Sequence, residues 1–546
     1  MKRLIALALA LVLFCSLIPF AGAAFTDADK ITDESKAAVD FVSGLGIISG
    51  FPDGSFKPKD TLTRAQAAKI LCVALEGAEK ANALTKTDAG FTDVPATHWA
   101  AKFVAYCVDK GIVAGVGNGK FDPDGQLTSV AFAKMLLVAY GKAKAEDLVG
   151  STWAASTQKA IRAIKMDEGA NVANMPSTRE NACCLAYNFL YDAEFAKSKP
   201  ASYQDVTLTF NDSSKYRLLG RSKQLEDGVS VDWSADGVEF VADCGGRFQL
   251  TASVQREYWR NHLQFRVIVD GVIYERVQFE DSKGAPVTNN TPVRLAPGKH
   301  TIRIIKDSVG DYAIDKLISV TFSGDPASIA PSQPRPKLLE VIGASTATGA
   351  GILPTPQDGR SKGTNNTATI VYSFGYLVAE ELNMDITTVV KGSLGIVATA
   401  GAYKDKNACN LPDLYPYRNR YRDAANVTDG LTSDEPEKYD FPRKADVVIL
   451  MINENDGKIP SEEFLPATKQ FISTIRESNP GCKVLFLYYN GSKHINDIKA
   501  IIAEDPELIT LGIRSNASGS GGHANGAAHA GWAEQLIPLV KPLIEG

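Results

Sequence analysis

The sequence predicts a multidomain protein in which an all-α repeat array is followed by a β-sandwich and then by a three-layer α/β domain with a parallel sheet. Three patterns support this fold class. Two long segments near the amino end repeat at a fixed offset, short β-branched runs fill the middle, and apolar strands alternate with helices toward the carboxyl end. A chain of 546 residues is long enough for several such domains.

Composition and charge narrow the range of partners. The chain is 45% hydrophobic and 22% charged, which is typical of globular proteins. A net charge of -5 provides no broad basic surface for phosphate backbones, so nucleic acid is not expected as a partner. The 8 cysteines are scattered without CxxC spacing, so neither a disulfide framework nor a zinc site is predicted.

The first residues resemble a targeting segment. Lys2 and Arg3 precede an apolar run from Leu4 to Phe20, and Ala21-Gly22-Ala23 supplies the small-x-small pattern of a cleavage site. Residues 1–23 are therefore predicted to be a cleaved signal peptide of a secreted protein. No later apolar stretch approaches the roughly 20 residues of a membrane span, so no span is expected after signal cleavage.

An internal repeat follows the predicted signal peptide. FTDADK at Phe25 recurs as FTDVPA at Phe91, and Phe56 and Phe121 are equivalent positions within the two copies. A third, shorter copy follows. Each copy has the pattern of a helix, a Gly-rich loop and a second helix. One copy is too small to bury its own apolar face, so the three are predicted to pack together. The predicted copies span residues 25–80, 91–142 and 149–195.

The second helix of each copy opens with a hydroxyl residue as its predicted cap, at Thr63, Thr128 and Ser177 or Thr178. Arginine follows the cap in the first and third copies, whereas Ser129 follows it in the middle copy. This array resembles the S-layer homology domain, which carries a TRAE-like motif at this position.

The resemblance implies docking on cell-wall polysaccharide and a location at the bacterial cell surface. It implies that Arg64, Arg179 and Trp99 bind the wall polymer, and it leaves the middle site open because Ser129 replaces the arginine. The physical basis is that a helix amino terminus and a guanidinium both favour an anion. The alternative interpretation makes the two arginines solvated helix residues and Trp99 a packing anchor.

The middle of the chain alternates between apolar and polar residues. Runs such as VTLTF, VEFVAD, FQLTASV and HTIRII predict about eight short strands and a β-sandwich over residues 203–323. RLLGRS at Arg217 and LAPGKHTIRIIKDS at Leu295 resemble the jelly-roll domain that precedes the catalytic domain in carbohydrate esterase family 2. The resemblance implies a jelly roll here.

Residues 337–546 show the pattern of an α/β domain. LLEVIGAS, ITTVVKG, KADVVILMIN and KVLFLYYN are apolar strands separated by helical segments, which predicts a parallel sheet covered on both faces. Reactive groups are expected at the carboxyl ends of such strands. Ser345 in VIGASTATGAG follows the first strand. On those eleven residues alone, a flexible turn is the stronger interpretation.

A nucleophilic serine needs a base and donors for the oxyanion, and four blocks supply them in order. VIGASTATGAG contains Ser345, VVKGSLGIVA contains Gly395 (or Gly392 if the alignment shifts), ADVVILMINENDG contains Asn455, and SGGHANGAAH contains His523. These blocks resemble those of SGNH hydrolases. The resemblance implies that Ser345 is the nucleophile and His523 its base. It also implies that the N–H groups of Ser345 and Gly395 and the amide of Asn455 hold the oxyanion, without a metal or cofactor.

Three positions depart from the family pattern, at Ala344, Asn453-Glu454 and Ser520. The resemblance implies that activity can survive loss of the acidic residue, because members of this family can work with a Ser-His dyad whose histidine is oriented by a main-chain carbonyl. Any acceptor at Nδ1 fixes the tautomer. His529 is predicted to pack at the start of the last helix, and His494 is interpreted as a surface residue.

NLPDLYPYRNRY from Asn410 and YDFPRKADVV from Tyr439 resemble segments of carbohydrate esterase family 2. The resulting hypothesis is a cell-surface carboxylic ester hydrolase that removes O-acetyl groups from polysaccharide. The alternative, motivated by the three departures, is a catalytically decayed esterase scaffold. Such a scaffold would act as a glycan-binding or S-layer-associated protein of the cell wall.

Overall fold

The computed structural model describes residues 25–164, 166–167, 169–256, 263–280, 282–308, 313–353, 367–397, 410–418, 437–452, 454–514, 519–520 and 523–545. The predicted signal peptide, residues 1–23, and Asn453 lie outside the described residues. The chain divides into two compact units with the boundary after Ser198.

Helices build the amino-terminal unit. Three of them, Arg64–Glu76, Ser129–Ala139 and Arg179–Ser198, occupy the same place in successive copies of the repeat. The α-helices of this unit are α1 (Asp33–Gly44), α2 (Arg64–Glu76), α3 (Ala78–Asn82), α4 (Ala101–Asp109), α5 (Ser129–Ala139), α6 (Trp153–Ala163) and α7 (Arg179–Ser198). Their apolar faces share one core, which includes Leu71, Phe132 and Phe189.

Hydroxyl side chains cap the three equivalent helices, as the sequence predicts. The hydroxyl of Thr63 accepts from the N–H of Gln66 at 3.2 Å, and Thr128 caps α5 in the same way. For α7 the sequence left two candidates, and Thr178 is the cap, since its hydroxyl accepts from the N–H of Asn181 at 3.3 Å. These bonds satisfy amides that have no partner within the helix.

The first two amides of each capped helix donate to a loop of another copy. In α2, the N–H groups of Arg64 and Ala65 donate to the carbonyls of Gly125 and Pro123, at 3.0 and 2.9 Å. The equivalent bonds of the other copies run from Ser129 to Met175, from Val130 to Ala173, from Arg179 to Asp60 and from Glu180 to Pro58. The first copy thus donates to the second, the second copy donates to the third, and the third copy donates back to the first.

The carboxyl-terminal unit begins with strands that pair antiparallel in one connected sheet. The strands are β1 (Gln204–Thr209), β2 (Arg217–Leu219), β3 (Lys223–Leu225), β4 (Gly228–Ser230), β5 (Gly237–Arg256), β6 (Leu263–Val269), β7 (Val272–Ile273), β8 (Val277–Phe279), β9 (Pro286–Lys306), β10 (Ala313–Gly324) and β11 (Ala330–Pro331). Their order in the sheet is β3-β4-β10-β5-β9-β6-β7, with β1 paired to β10, β2 and β11 to β5, and β8 to β6.

The longest strands depart from the sequence prediction. VEFVAD and FQLTASV were expected to be separate strands, but both lie in the 20-residue β5. The pairing of β5 with β9 shifts register between Cys244 and Gly246, and Gly246 has φ +80°. The prediction was wrong because the Gly-rich interruption forms a bulge, which bends a strand without ending it.

The predicted parallel sheet is confirmed in the second half of this unit. Its five described strands are β12 (Lys337–Gly343), β13 (Met384–Val390), β14 (Val447–Ile452), β15 (Lys483–Tyr489) and β16 (Ile509–Ile513). They pair parallel in the order β13-β12-β14-β15-β16. The helices are α8 (Phe374–Glu381), α9 (Leu411–Leu414), α10 (Ser461–Ser478), α11 (Ile495–Glu504) and α12 (Gly526–Ile544).

Two separate cores flank the parallel sheet. One contains residues of α10 and α11, such as Phe471 and Ile498, and the other contains residues of α8 and α12, such as Val378 and Leu536. Helices therefore cover both faces. Within the described ranges, no helix combines the length and the apolar character that crossing a membrane requires.

Buried ion pairs join the antiparallel strands to the parallel sheet. Arg217 on β2 donates to the carboxylate of Asp385 on β13 at 2.8 Å. Arg221, which follows β2, pairs with Glu340 on β12 at 3.0 Å, and both side chains are fully buried. The two halves of this unit therefore share a largely buried, charged interface.

Candidate active site

Ser345 lies just beyond the carboxyl end of β12. Strand β12 has β13 on one side and β14 on the other, so the chain changes direction across the sheet at this strand. Open α/β sheets bind ligands in the crevice at such a point. The N–H of Ala350 donates to the carbonyl of Ser345 at 3.1 Å, which closes a turn around the serine.

Two glycines let this turn approach neighbouring segments closely. Gly349 and Gly351 have φ values of +76° and +84°, a region that favours glycine. A Cβ at Gly349 would lie 2.1 Å from the carbonyl oxygen of Thr369, and a Cβ at Gly351 would lie 2.6 Å from Cβ of His523. The turn that carries Ser345 therefore packs directly against the segment that carries His523.

The structure brings Ser345 and His523 together. Nε2 of His523 lies 3.0 Å from Oγ of Ser345. When the serine hydroxyl donates to Nε2, the neutral imidazole carries its proton on Nδ1. Nδ1 is buried, and within the described part of the chain it has no hydrogen-bond partner. The pair thus has the geometry of a serine and its base.

Ser520 holds the loop of His523 through its main chain. Its carbonyl accepts from the N–H of His523 at 3.4 Å, and its own N–H donates to the carbonyl of Gly351 at 3.1 Å. Ser520 is one of the three positions that depart from the SGNH pattern. In this chain the position therefore contributes backbone contacts to the loop.

His529 packs inside the last helix, as predicted. It is completely buried in α12 and stacks on Phe374 with the ring planes 7° apart. Burial, and then the neighbouring His523, lower the pKa of His529 to about 3, so its imidazole is neutral at physiological pH. Nδ1 of His529 accepts from the N–H of Phe374 at 3.3 Å, which leaves the proton on Nε2.

The two candidate oxyanion glycines, Gly392 and Gly395, lie in the segment that follows β13. A Cβ built at Gly392 would lie 4.0 Å from Cβ of Ser345, whereas a Cβ at Gly395 would lie 2.3 Å from the carboxylate of Asp456. Between them, the carbonyl of Leu394 accepts from the side-chain amide of Asn455 at 2.8 Å. The assignment of Gly395 as a donor, with Gly392 as its alternative, stays a prediction.

The interpretation of His494 as a surface residue is wrong. Its side chain is only 7% exposed, and its ring stacks on Phe464 with centroids 3.9 Å apart. Nδ1 lies 2.7 Å from a carboxylate oxygen of Asp497, and Nε2 lies 2.9 Å from the main-chain carbonyl of Asp456. Its position shortly after β15, at the same sheet edge as Ser345, was the signal that sequence reasoning passed over.

The antiparallel half of the unit also supports the Ser345 turn. The carboxylate of Asp307 accepts from the hydroxyl of Thr369 at 2.9 Å and from the N–H of Ile370 at 2.8 Å. The N–H of Thr369 donates to the carbonyl of Gly349 at 3.3 Å. Arg266 donates to the same carboxylate at 2.7 Å and balances its charge. Sequence reasoning missed this support because Asp307 lies in a different predicted domain.

In the amino-terminal unit, the motif arginines bind the protein itself. Nε and Nη2 of Arg64 donate to the carbonyls of Phe121 and Ala114, at 2.7 and 2.8 Å. Arg179 donates to the equivalent carbonyls of Phe56 and Ser49, both at 2.9 Å. Arg179 is 4% exposed, so the interpretation of these arginines as solvated helix residues is wrong for it. Their role in polymer binding stays a prediction.

Trp99 has an exposed side chain. Its fractional exposure of 52% is unusual for tryptophan, and the ring lies 5.8 Å from that of His98. The alternative that makes Trp99 a packing anchor is therefore wrong. An exposed indole is available to a partner in solution.

Residues 24–68 and 90–128 match the model of the S-layer homology domain. The chain carries S-layer homology domains. The third predicted copy lies outside the matched residues, but its helix α7 makes the same bonds to its neighbour as α2 and α5. The assignment of the third copy as an S-layer homology domain stays a prediction.

Curated surface proteins match part of the chain. The chain is 36% identical over 126 residues to the surface-layer 125 kDa protein of Lysinibacillus sphaericus, a match of 23% of this chain and 10% of that protein. It is 30% identical over 177 residues to a surface layer protein of Brevibacillus choshinensis, 32% of this chain and 16% of that protein. The chain thus spans a small part of these relatives. The shared domains indicate a secreted protein of the cell surface.

Solved structures match the rest of the chain. A family two carbohydrate esterase from Cellvibrio japonicus aligns with a TM-score of 0.51 at 18% identity, over 63% of this chain and 99% of that one. An acetyl xylan esterase from Butyrivibrio proteoclasticus aligns with a TM-score of 0.50 at 16% identity, over 62% and 98%. The carboxyl-terminal unit therefore has the fold of the family 2 carbohydrate esterases.

Proposed function

We propose that this chain is a cell-surface serine esterase that removes O-acetyl groups from polysaccharide. The observation that carries the proposal is the 3.0 Å contact between Nε2 of His523 and Oγ of Ser345 at the crevice of the parallel sheet. The fold shared with carbohydrate esterases makes an acetyl ester the first substrate to test. An ester carbonyl needs only a nucleophile, a base and oxyanion donors.

The proposed reaction proceeds by acyl transfer. Oγ of Ser345 attacks the ester carbonyl carbon while Nε2 of His523 takes the hydroxyl proton, and this proton then passes to the departing sugar oxygen. Water attacks the acetyl-serine, again losing a proton to His523. Collapse releases acetate and restores the serine. The sugar hydroxyl and acetate are the two products, and no metal or cofactor enters a step.

The oxyanion would be held by the N–H groups of Ser345 and Gly395 and by the side-chain amide of Asn455. One amide hydrogen of Asn455 bonds to the carbonyl of Leu394, and the second, which has no partner among the residues that the structure describes, would bind the oxyanion. Donors fixed before the reaction stabilise charge without reorganising during it. Gly392 is the alternative backbone donor because it lies beside Ser345.

Replacing Asn455 by alanine is expected to lower kcat by about 100-fold to 1000-fold with little change in KM, because the lost donor acts mainly on the tetrahedral intermediate. Steady-state kinetics with an acetyl ester measure both constants. Thermal unfolding serves as the control for loop damage. A variant with kcat within about threefold of the wild type would remove Asn455 from the oxyanion hole.

The proposal itself is tested with the purified full chain and acetylated xylan, with released acetate as the readout. 4-Nitrophenyl acetate serves as a substrate that needs no sugar recognition. A catalytically decayed scaffold predicts glycan binding without acetate release from either compound. The intact contact between Ser345 and His523 counts against decay, and absence of turnover on both substrates would favour it.

The finer domain organisation is part of the same proposal. We place S-layer homology repeats at 25–80, 91–142 and 149–195, a jelly-roll-like domain at 203–323 and an SGNH hydrolase-like domain at 337–546. A signal peptide at 1–23 would direct secretion. The repeats would hold the esterase at the wall through Arg64, Arg179 and Trp99, and thereby keep it near acetylated polysaccharide.

Replacing Trp99 by alanine is expected to weaken binding of the full chain to isolated wall polysaccharide by about fivefold, because an exposed indole contributes roughly 1 kcal/mol when it stacks on a ligand. Sedimentation with the insoluble polymer measures the affinity. Val149→Ala, at another exposed apolar position of this unit, is the matched control and should bind normally. Equal affinity of both variants would contradict a role for Trp99.

A further inference from the structure

The carboxylate of Asp456 holds the backbone next to the predicted oxyanion glycine. Its two oxygens accept from the N–H groups of Ile396 and Val397, at 2.7 and 2.9 Å. The side chain is 1% exposed. The N–H of Ile396 belongs to the peptide group that joins Gly395 to Ile396. The carboxylate therefore restricts the orientation of the main chain on the carboxyl side of Gly395. Charge-assisted bonds to two consecutive amides are strong in such a buried setting.

Asn455 and Asp456 are neighbours in the chain, and both bond to the loop from Leu394 to Val397. Asn455 donates to the carbonyl of Leu394, and a Cβ at Gly395 would lie 2.3 Å from the Asp456 carboxylate. The loop from Leu394 to Val397 is therefore held on both sides of Gly395. Any shift of the main chain at Asp456 would move both proposed kinds of oxyanion donor together.

His494 fixes that main chain. Its Nε2 lies 2.9 Å from the carbonyl oxygen of Asp456, and because a carbonyl only accepts, Nε2 must carry a proton. The ring is held from two further directions, by Asp497 at Nδ1 and by the stacked ring of Phe464. Ser461 donates to the same Asp497 oxygen at 2.9 Å. Helices α10 and α11 thus hold the imidazole against the segment of Asn455 and Asp456, which we call the oxyanion segment.

We propose that His494 is a positioning residue of the esterase reaction. Held by Asp497 and Phe464, it fixes the main chain of Asp456 and thereby aligns Asn455 and the Gly395 loop with the developing oxyanion. It acts through these groups and does not touch the substrate. The proposal rests on the proposed esterase function, because it gives His494 a task only in that reaction. Displacement of catalytic groups by about 1 Å can cost 100-fold in rate.

Two substitutions distinguish the contributions of Nδ1 and Nε2 of His494. His494→Gln places an amide nitrogen near the position of Nε2 and can still donate to the Asp456 carbonyl, whereas His494→Asn is shorter and retains only a group near Nδ1. For the full chain acting on 4-nitrophenyl acetate, we expect kcat of His494→Asn to fall about 10-fold to 100-fold with KM nearly unchanged. His494→Gln should remain within about threefold of the wild type.

A purely structural role predicts a different pattern. Both variants would then lose thermal stability to a similar degree and keep a similar kcat at temperatures well below unfolding. Asp497→Ala, which leaves the ring in place but removes its support, should lower kcat by about threefold to tenfold and provides a second route if His494→Asn fails to fold. Equal kcat values for the wild type, Asp497→Ala and the foldable His494 variants would overturn the positioning role.

The outcomes also separate this inference from the proposed function. An inactive wild-type chain would contradict the esterase assignment itself, and with it the task given to His494. An active wild type with an equally active His494→Asn variant would contradict only the positioning role. Labelling of Ser345 by a serine-reactive phosphonate gives the same comparison without a sugar substrate, and His494→Asn should label more slowly than His494→Gln.

Discussion

Replacing Ser345 by alanine is expected to lower kcat for acetate release by at least about 1000-fold. The reason is that Oγ of Ser345, 3.0 Å from Nε2 of His523, is the proposed attacking atom. The nearby hydroxyls of Thr346 and Thr348 bond instead to the hydroxyl of Tyr489 and to the main-chain carbonyl of Ser345. A residual rate would remain from oxyanion donors and substrate binding. Acetate release from acetylated xylan by the full chain measures the effect.

Two further variants test the assignment of Ser345 more closely. The variant with both Ser345→Ala and His523→Ala should be no slower than Ser345→Ala alone, because residues that act as one unit do not lose activity additively. Ser520→Ala is the control at a nearby hydroxyl, and it should retain activity because Ser520 contacts the loop through its main chain. Acetate release by Ser345→Ala above about one tenth of the wild-type rate would contradict the assigned nucleophile.

Replacing Arg221 by methionine is expected to lower the free energy of unfolding of the carboxyl-terminal unit by about 3 to 5 kcal/mol. The guanidinium is fully buried, pairs with Glu340 at 3.0 Å and donates to the carbonyls of Tyr415 and Tyr417. Without it, the described donors that remain for the buried carboxylate of Glu340 are neutral, namely the hydroxyl of Tyr415 and the side-chain amide of Asn479. Urea unfolding of the full chain followed by circular dichroism measures the change.

The partner substitution tests the cause. Arg221→Met combined with Glu340→Gln should recover part of the lost stability, since removing both charges avoids an unpaired buried one. Lys469→Ala breaks a surface pair with Glu504 and is the matched control, with an expected change of about 0 to 1 kcal/mol. Equal destabilisation by Arg221→Met and Lys469→Ala would contradict a special role for the buried pair.

Local patterns predicted much of the fold. Thr63 and Thr128 mark helix starts because a cap and its helix are neighbours in the chain, and the structure confirms both. The parallel sheet followed from apolar runs between helices. The β-rich half was predicted less well. Whether the Gly-rich interruption after Cys244 becomes a bulge or a turn depends on the partner strand, which the local sequence does not reveal.

Some residues of the candidate site were predicted from local sequence, and others were not. Ser345, Asn455 and His523 were predicted because each lies in a short block, and the structure brings Ser345 and His523 into contact. His494 was missed because it belongs to no block, and its partner is the main-chain carbonyl of Asp456. Any residue type has such a carbonyl, so the sequence offers no signal for this contact, although the position of His494 shortly after β15 does place it at the sheet edge of Ser345. Asp307 was missed because its contact with Thr369 crosses between predicted domains.

By itself, the sequence determined the order of the repeats, the β-rich segment and the α/β segment, together with the residue types available for acyl transfer. These follow from periodicity and from short blocks, which are properties of neighbours in the chain. Only the tertiary structure decided that His523 reaches across 178 positions to Ser345 and that Arg179 is buried between repeats. It alone decided that His494 faces the oxyanion segment, because hydrogen bonds between distant segments depend on how the strands and helices pack.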